Sequence, residues 1–299
     1  MSDERATVRP VSLSRLVEVT HSCGDTEKTT AEIEGALDVT YRRARETVLE
    51  ATRINLLSED DADADSTYTA TDVGSKFLNA ILDENWIQAS QILEMHSPHY
   101  GSFIQTVEEV EHGDLTTVLE HLEAEEEFTP YSFNQTSVEV LGDWAERLGA
   151  VQRNAFTGSY YPAAQTPIPD NFHYILLDIY DDLEQTAGVD LRQRYLSIPR
   201  LREATCERLG ATREAFNEAL LILCQQNVGK LELSGAPMDT GAKDATLGIK
   251  QIELAGDDNL VSTSQSSQQI MSGVVQFGKQ YYYLAVHDRN ITFTQENSP

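Results

Sequence analysis

Residues 29–54 read TTAEIEGALDVTYRRARETVLEATRI, and this stretch decides how the first part of the chain is interpreted. A threonine cap and Glu32 in the first turn predict a helix that ends near Leu37. After a short turn, the apolar side chains of Thr40–Ile54 recur at the spacing of one helix face, and its arginines fall largely elsewhere on the circumference. The stretch therefore predicts two helices joined by a turn.

The flanking sequence extends this pattern in both directions. A helix is predicted upstream at Ser12–Cys23, where apolar residues recur at helical spacing. Downstream, residues 55–57 and 67–69 favour two short strands that enclose the acidic segment SEDDADADS at 58–66. Thr71 then caps a further helix, TDVGSKFLNAIL. The predicted order is a helix, a helix–turn–helix, a β-hairpin and a closing helix.

This order of elements, together with the phrase YTATDVGSKFLNAI at 68–81, resembles the winged helix-turn-helix regulators of archaea and bacteria. The resemblance covers residues 11–83 and implies that the 40–54 helix is a recognition helix, whose N-terminal part enters the DNA major groove. Arginine there is suited to guanine O6 and N7 or to phosphates, and hydroxyl groups are suited to phosphates. The residues predicted to contact DNA are Thr40, Tyr41, Arg42, Arg43, Arg45, Arg53 and, from a second cluster, Arg213.

Both arginine clusters also have a simpler interpretation. The arginines of the 40–54 helix are equally expected as surface residues paired with Glu32, Glu46 or Glu50. In the second cluster, interleaved glutamates favour a solvent-exposed face of mixed charge. Its members are Arg192, Arg194, Arg200, Arg202, Arg208 and Arg213.

The remaining chain is divided by its composition and by proline and glycine residues. Residues 84–127 favour short acidic helices that act as a connector or an interaction face, with 85–127 as the expected surface for a protein partner or a homodimer. Residues 128–165 weakly repeat the winged-helix pattern and predict a partial second unit. Residues 170–288 predict a winged-helix-like unit with an extra β-hairpin, followed by a tail at 289–299. The predicted fold class is mainly α with small β-hairpins (α+β), in which tandem winged helix-turn-helix units are joined by an acidic helical connector.

The chain is strongly acidic. Its 22 Lys and Arg residues stand against 49 Asp and Glu residues, which gives a formal net charge of −27. Lysine is scarce relative to arginine. This composition resembles proteins of halophiles that accumulate salt in the cytoplasm, where acidic surfaces stay hydrated. An alternative is a DNA mimic that presents carboxylates in place of phosphates, for which Glu108–Glu127 is the candidate segment.

The sequence carries no established signal for catalysis, a cofactor or a metal. It contains no GxxxxGK[ST], GxSxG or HExxH motif. The histidines do not cluster, and Asp178, Asp181 and Asp182 are expected on a solvated acidic face instead of around a metal ion. The three widely spaced cysteines argue against a disulfide framework, and no apolar stretch is long enough to span a membrane. We therefore expect a non-enzymatic cytoplasmic protein without a cofactor or a metal.

The expected function is binding of double-stranded DNA by tandem winged-helix units in a high-salt cytoplasm. Transcription control, replicon maintenance and an accessory role in antiviral defence all fit this activity. Phosphate contacts weaken in molar salt, so such a protein must depend on base-edge contacts and on avidity. The alternative from another class is a winged-helix adaptor that binds proteins of an ATPase, chromosome-organising or defence complex.

Overall fold

The computed structural model describes residues 6–24, 26–60, 66–125, 130–163, 167–186, 195–235, 252–253, 260–261 and 270–294. Within these residues the protein is mainly helical, with small antiparallel sheets. The predicted mainly α class is confirmed at this level. The chain forms two compact units: the first contains Met1–Gln152 and Ile249–Ser264, and the second contains Arg153–Gly248 and Gln265–Pro299.

The first half of the first unit contains the predicted helices and hairpin, with one additional short strand. In chain order its elements are α1 (Leu13–Ser22), β1 (Lys28–Thr29), α2 (Thr30–Leu37), α3 (Tyr41–Arg53), β2 (Leu57–Asp60), β3 (Thr67–Ala70) and α4 (Asp72–Leu82). The three strands form an antiparallel sheet in the order β1-β3-β2. The apolar faces of the helices bury a core that includes Leu16, Ile33, Val48 and Phe77.

Four further helices complete the first unit and do not form a separate connector. They are α5 (Trp86–His96), α6 (Pro98–Val110), α7 (Leu115–Glu125) and α8 (Gln135–Arg147). They bury Tyr100, Phe103, Leu122 and Trp144, and the Trp144 indole donates to the Val11 carbonyl at 2.9 Å. Residues 84–127, which were predicted to be a connector, thus share a compact unit with α1–α4.

The second unit has its own helices and a four-stranded sheet. After β4 (Val151–Arg153), which spans the boundary, its elements are β5 (Tyr160–Pro162), α9 (Phe172–Thr186), β6 (Tyr195–Ser197), α10 (Ile198–Leu209), α11 (Arg213–Gln226), β7 (Leu231–Gly235), β10 (Val274–Gln276) and β11 (Lys279–Val286). Strands β8 (Ile252–Glu253) and β9 (Leu260–Val261) belong to the first unit. Strand β11 is central, with β7 along one edge and β6 and β10 along the other.

The two units repeat one order of elements. The first unit runs helix, strand, helix, helix, strand and strand, and the second runs the same way from α9 to β11 except that it has the additional strand β10 before the last one. Strand β3 pairs with β1 and β2, whereas β11 pairs with β6, β7 and β10. The predicted partial unit at 128–165 is not a separate domain, because α8 lies in the first unit and β5 in the second. The predicted tail is also partly structured, since Ile291 and Phe293 are buried in the core of the second unit.

Candidate nucleic-acid interface

The entry to α3 is fixed by local interactions in α2 and the following turn. The Thr29 hydroxyl accepts from the Glu32 amide at 3.3 Å, and the Glu32 carboxylate accepts from the Thr29 amide at 2.8 Å. The Thr29 amide and the Thr29 hydroxyl, which donates to the same carboxylate at 3.0 Å, lower the pKa of Glu32. Asp38 adopts a left-handed backbone conformation with φ 49°, which ends α2 and turns the chain into α3. The predicted helix–turn–helix is therefore held in place by one capping box and one left-handed residue.

Helix α3 separates its apolar and cationic side chains onto different faces. Its buried side includes Ala44, Thr47, Val48 and Ala51. The exposed residues at and near its N-terminus are Thr40, Tyr41, Arg42, Arg43 and Arg45. Five of the seven residues predicted to contact DNA thus lie together on the surface of the first unit.

The exposed cations of α3 have few partners. Arg42 Nε lies 3.3 Å from Glu46 Oε1, in a pair whose arginine side chain is 88 % exposed. The side chains of Arg43 and Arg45 make no hydrogen bond or ion pair with any residue that the structure describes. Thr40 precedes the helix and its hydroxyl makes no capping bond. This end of α3 therefore presents guanidinium and hydroxyl donors to solvent, which suits an anionic ligand.

Arg53, by contrast, is largely buried and bonded within the first unit, unlike the exposed arginines at the start of α3. Its guanidinium bonds to the fully buried Glu50 and donates to His99 Nδ1 at 2.9 Å. Glu50 also accepts from the Arg9 amide at 3.2 Å. The C-terminal end of α3 is therefore tied into the interior of the first unit, because a buried carboxylate needs cationic and amide donors around it.

His99 completes this buried cluster and has a defined tautomer. Arginine can only donate, so His99 Nδ1 accepts from Arg53 and Nε2 carries the proton, which it donates to the Ala6 carbonyl at 2.8 Å. The ring packs against Tyr131 and Phe133. Burial is the largest cause that lowers the pKa of His99 below 6.5, and the Arg53 charge acts in the same direction.

We expect the first unit to lose stability as the pH falls below about 6.5, because the folded state disfavours protonated His99 more than the unfolded state does. The loss levels off once the pH falls below the depressed pKa of the folded state. Urea unfolding followed by tryptophan fluorescence reports on this unit, since Trp86 and Trp144 are the only tryptophans. His99→Gln should flatten the slope between about pH 7 and 5 relative to the wild type. An unchanged slope in this variant would show that other groups dominate.

Arg213, which was also predicted to contact DNA, is buried. Its Nε and Nη2 atoms donate to the two oxygens of Glu203, each at 2.7 Å, and Nη2 also donates to the Arg153 carbonyl at 2.7 Å. Glu203 is fully buried and accepts in addition from the Ala155 amide at 2.9 Å. The pair thus joins the start of α11 to α10 and to the 153–155 segment within the second unit.

The rest of the second arginine cluster divides between interior and surface. Arg202 is almost fully buried and donates to the Asn217 side chain and the Ser272 carbonyl, each at 3.0 Å. Arg208 forms an exposed pair with Asp178 at 2.6 Å. Arg200 lies over the Phe156 ring, 5.0 Å from its centre. The predicted mixed-charge surface is therefore correct for Arg208 and wrong for Arg202 and Arg213. Arg192 and Arg194 lie outside the described residues.

Helix α11 occupies the same place in its unit as α3 but has a different surface. Its first residue, Arg213, is buried, and its exposed positions are Glu214, Glu218, Gln225 and Gln226. The exposed face of α11 is therefore acidic or neutral over the described residues. Only α3 of the two corresponding helices presents a group of exposed cations.

The hairpin that follows α3 is acidic. Ser58, Glu59 and Asp60 on β2 are exposed, and the Tyr68 hydroxyl on β3 donates to Glu59 at 2.9 Å. The predicted acidic loop continues at 61–65, which lies outside the described residues. Carboxylates at this position repel phosphates.

The three cysteines are buried thiols. Burial raises the pKa of Cys23 to about 11 and those of Cys206 and Cys224 to about 12. These thiols are therefore protonated at neutral pH and poor nucleophiles. Over the ranges that the structure describes, no three His, Cys, Asp or Glu side chains are grouped so that they could hold a metal ion. Asp178 and Asp181 instead pair with Arg208 and Arg289.

Sequence reasoning missed the residues that form the buried ionic clusters. Glu50 and Arg53, three positions apart in α3, have the spacing of an ordinary surface pair. Glu203 and Arg202 likewise lie in a stretch of alternating charge. No local signal distinguishes them from exposed residues, because their burial is produced by Arg9, His99 and other segments distant in sequence.

Comparisons with known proteins add no relative. The chain matches none of the protein-family models searched, and a search of curated proteins gives no significant match. Among the described helices, none has the length and apolar character needed to cross a membrane.

Proposed function

We propose that this protein binds double-stranded DNA without catalysing a reaction and that α3 of the first unit is the DNA-contacting element. The observation that carries the proposal is the joint exposure of Arg42, Arg43 and Arg45 at the N-terminal end of α3. Three exposed cations within four positions stand out in a chain whose formal net charge is −27. The guanidinium group of arginine can donate two parallel hydrogen bonds to a guanine edge or to a phosphate. This cluster is therefore suited to binding in a DNA groove.

The order of elements supports a winged helix-turn-helix unit at residues 11–83. In that arrangement α2 and α3 are the two helices of the motif, and β2 and β3 form the wing. The buried side of α3 packs into the unit, which leaves its N-terminal half free to enter a major groove. The repeated order in the second unit supports a tandem organisation.

The two units are proposed to have different roles. The acidic surface of α11 and the burial of Arg213 argue against DNA contact by the corresponding helix of the second unit. Each chain then has a single DNA-contacting helix, α3. A dimer would bring two such helices to one DNA molecule and raise the affinity through avidity. A protein of this kind would serve transcription control, replicon maintenance or a defence system in a high-salt cytoplasm.

The proposal predicts that Arg42→Ala/Arg43→Ala/Arg45→Ala weakens duplex binding by at least about tenfold, since each guanidinium contributes a phosphate or base contact. Fluorescence anisotropy with a random-sequence 24-bp duplex, from about 0.1 to 1 M KCl, measures both the affinity and its salt dependence. The log–log salt slope should fall by about one for each phosphate-contacting arginine that is removed.

A control variant matched in charge separates this local effect from net charge. Lys76→Ala/Arg208→Ala/Arg289→Ala also removes three exposed cations but leaves α3 intact. It should bind nearly as the wild type does. Equal losses of duplex affinity in the two variants would show that the effect comes from overall charge. A wild type that binds no duplex would contradict the DNA-binding proposal.

A protein-binding adaptor is the second candidate, and it is favoured by apolar exposure in the second unit. Phe277, Val228, Tyr174 and Val275 are all more than half exposed, with Phe277 at 88 %. Exposed aromatic and aliphatic side chains are typical of protein interfaces. Failure of the wild type to bind DNA would make this the leading function. The DNA mimic has less support, because Glu108–Glu127 is divided between α6 and α7 and its last two residues are not described.

A further inference from the structure

We infer that Arg42 and Glu46 form a sequence-reading pair, in which Arg42 selects guanine and Glu46 selects cytosine at a nearby base pair. This inference rests on the proposed DNA-binding function. It assigns base recognition to two side chains of α3 and phosphate contact to the neighbouring arginines.

The geometry of α3 places these two side chains at the centre of its outer face. Its buried residues are Ala44, Thr47, Val48, Glu50 and Ala51, and Arg42 projects nearly opposite to the middle of this set at 100° per residue. Glu46 lies one turn further on the same outer face, and the two side chains meet at 3.3 Å. Arg43 and Arg45 flank this pair on its two sides. A helix with its outer face in the groove therefore brings the pair to the base edges and the flanking arginines to the two phosphate backbones.

The chemistry of the pair explains a carboxylate in a DNA interface. A carboxylate repels phosphates, but it accepts a hydrogen bond from the cytosine N4 amino group in the major groove. Glu46 is 29 % exposed and accepts a hydrogen bond from Arg42 Nε at 3.3 Å, which keeps the two side chains next to each other. Arg42 is 88 % exposed and keeps donors available for guanine O6 and N7.

The spacing of the pair predicts the spacing of the bases. Four residues of α-helix rise by about 6 Å, and successive base pairs are about 3.4 Å apart. A helix aligned with the groove therefore places Arg42 and Glu46 about two base pairs apart. The preferred site should contain a guanine and a cytosine at that separation, on the same strand or on opposite strands.

The test is selection of bound sequences from a duplex with randomised central positions, with the wild type, Glu46→Gln and Arg42→Met. The wild type should enrich both the guanine and the cytosine. Glu46→Gln should reduce the cytosine preference about tenfold and leave the guanine preference intact, because a carboxamide can donate as well as accept. It should also bind random-sequence duplex more tightly, since a negative charge is removed. Arg42→Met should lose the guanine preference.

Glu108→Gln on α6 is the matched control, because it makes the same charge change at an exposed site away from α3. It should keep both base preferences. Unchanged cytosine preference in Glu46→Gln, or wild-type binding without enrichment of any sequence, would overturn the reading pair and leave the DNA-binding function standing. A wild type that binds no duplex would overturn both.

Discussion

Gly74→Ala is expected to destabilise the first unit by about 3 kcal/mol, because the added methyl group has no room. A Cβ atom at Gly74 would lie 2.1 Å from the Leu56 carbonyl oxygen and 3.1 Å from Thr20 Cγ2. The Leu56 oxygen is backbone and cannot rotate away. It also accepts from the Thr71 amide at 3.0 Å, so moving α4 to make space would disturb its attachment to the hairpin. The better helix propensity of alanine recovers at most about 1 kcal/mol.

Gly35→Ala is the control for this substitution. Gly35 lies in α2, and apart from its chain neighbours and the backbone of its own helix no atom lies within 4 Å of the position of an added Cβ. The change should be neutral or stabilising by up to about 1 kcal/mol. Urea unfolding followed by tryptophan fluorescence measures both variants, because both tryptophans lie in the first unit. Similar midpoints for Gly74→Ala and the wild type would contradict the close approach of α4 and the Leu56 carbonyl.

Glu203→Ala is expected to destabilise the second unit by about 3–5 kcal/mol, because it leaves a buried guanidinium without its carboxylate. Both Arg213 donors that point to Glu203 lie at 2.7 Å from it, and the two side chains are at most 8 % exposed. The Ala155 amide loses its acceptor at the same time. Hydrogen exchange of the α10 and α11 amides measures the loss in this unit, which contains no tryptophan.

Two further variants test whether the loss of stability depends on the burial of the ion pair. Asp178→Ala breaks the exposed pair with Arg208 and should change exchange little. Glu203→Met/Arg213→Met removes both charges and should recover a large part of the loss, since buried ion pairs are often replaceable by apolar side chains. If Glu203→Ala lowered hydrogen-exchange protection as little as Asp178→Ala does, the buried Glu203–Arg213 pair would not contribute to the stability of the second unit.

The Gly74 contact explains why a glycine stands in the first turn of α4. The phrase TDVG predicted a capped helix after the hairpin, and Thr71 does cap α4 by accepting from the Gly74 amide at 3.0 Å. The glycine itself carried no prediction of a close approach. That approach depends on Leu56, which lies in the segment between α3 and β2 and is brought near only by the folding of the unit.

The domain boundaries were predicted less well than the elements. Residues 84–127 have the composition of a solvated acidic connector, yet their apolar stripes are buried, and α5 contacts α4 while α6 and α7 contact α8. Composition averages over all faces of a helix, so it describes the surface and hides a narrow buried stripe. The periodicity of those helices indicated a stripe but not its partner.

The sequence by itself determined the positions of the helices in the first unit, its hairpin and the exposed cluster of Arg42, Arg43 and Arg45. These depend on local interactions: capping, helical periodicity and the side of α3 that is apolar. Only the tertiary structure decided that Arg53 and Arg213 are interior and that α5–α8 belong to the first unit. An arginine beside a glutamate has the same local sequence on a surface and in a core. Its burial is set by distant segments such as those of Arg9 and His99, which pack against it only in the folded chain.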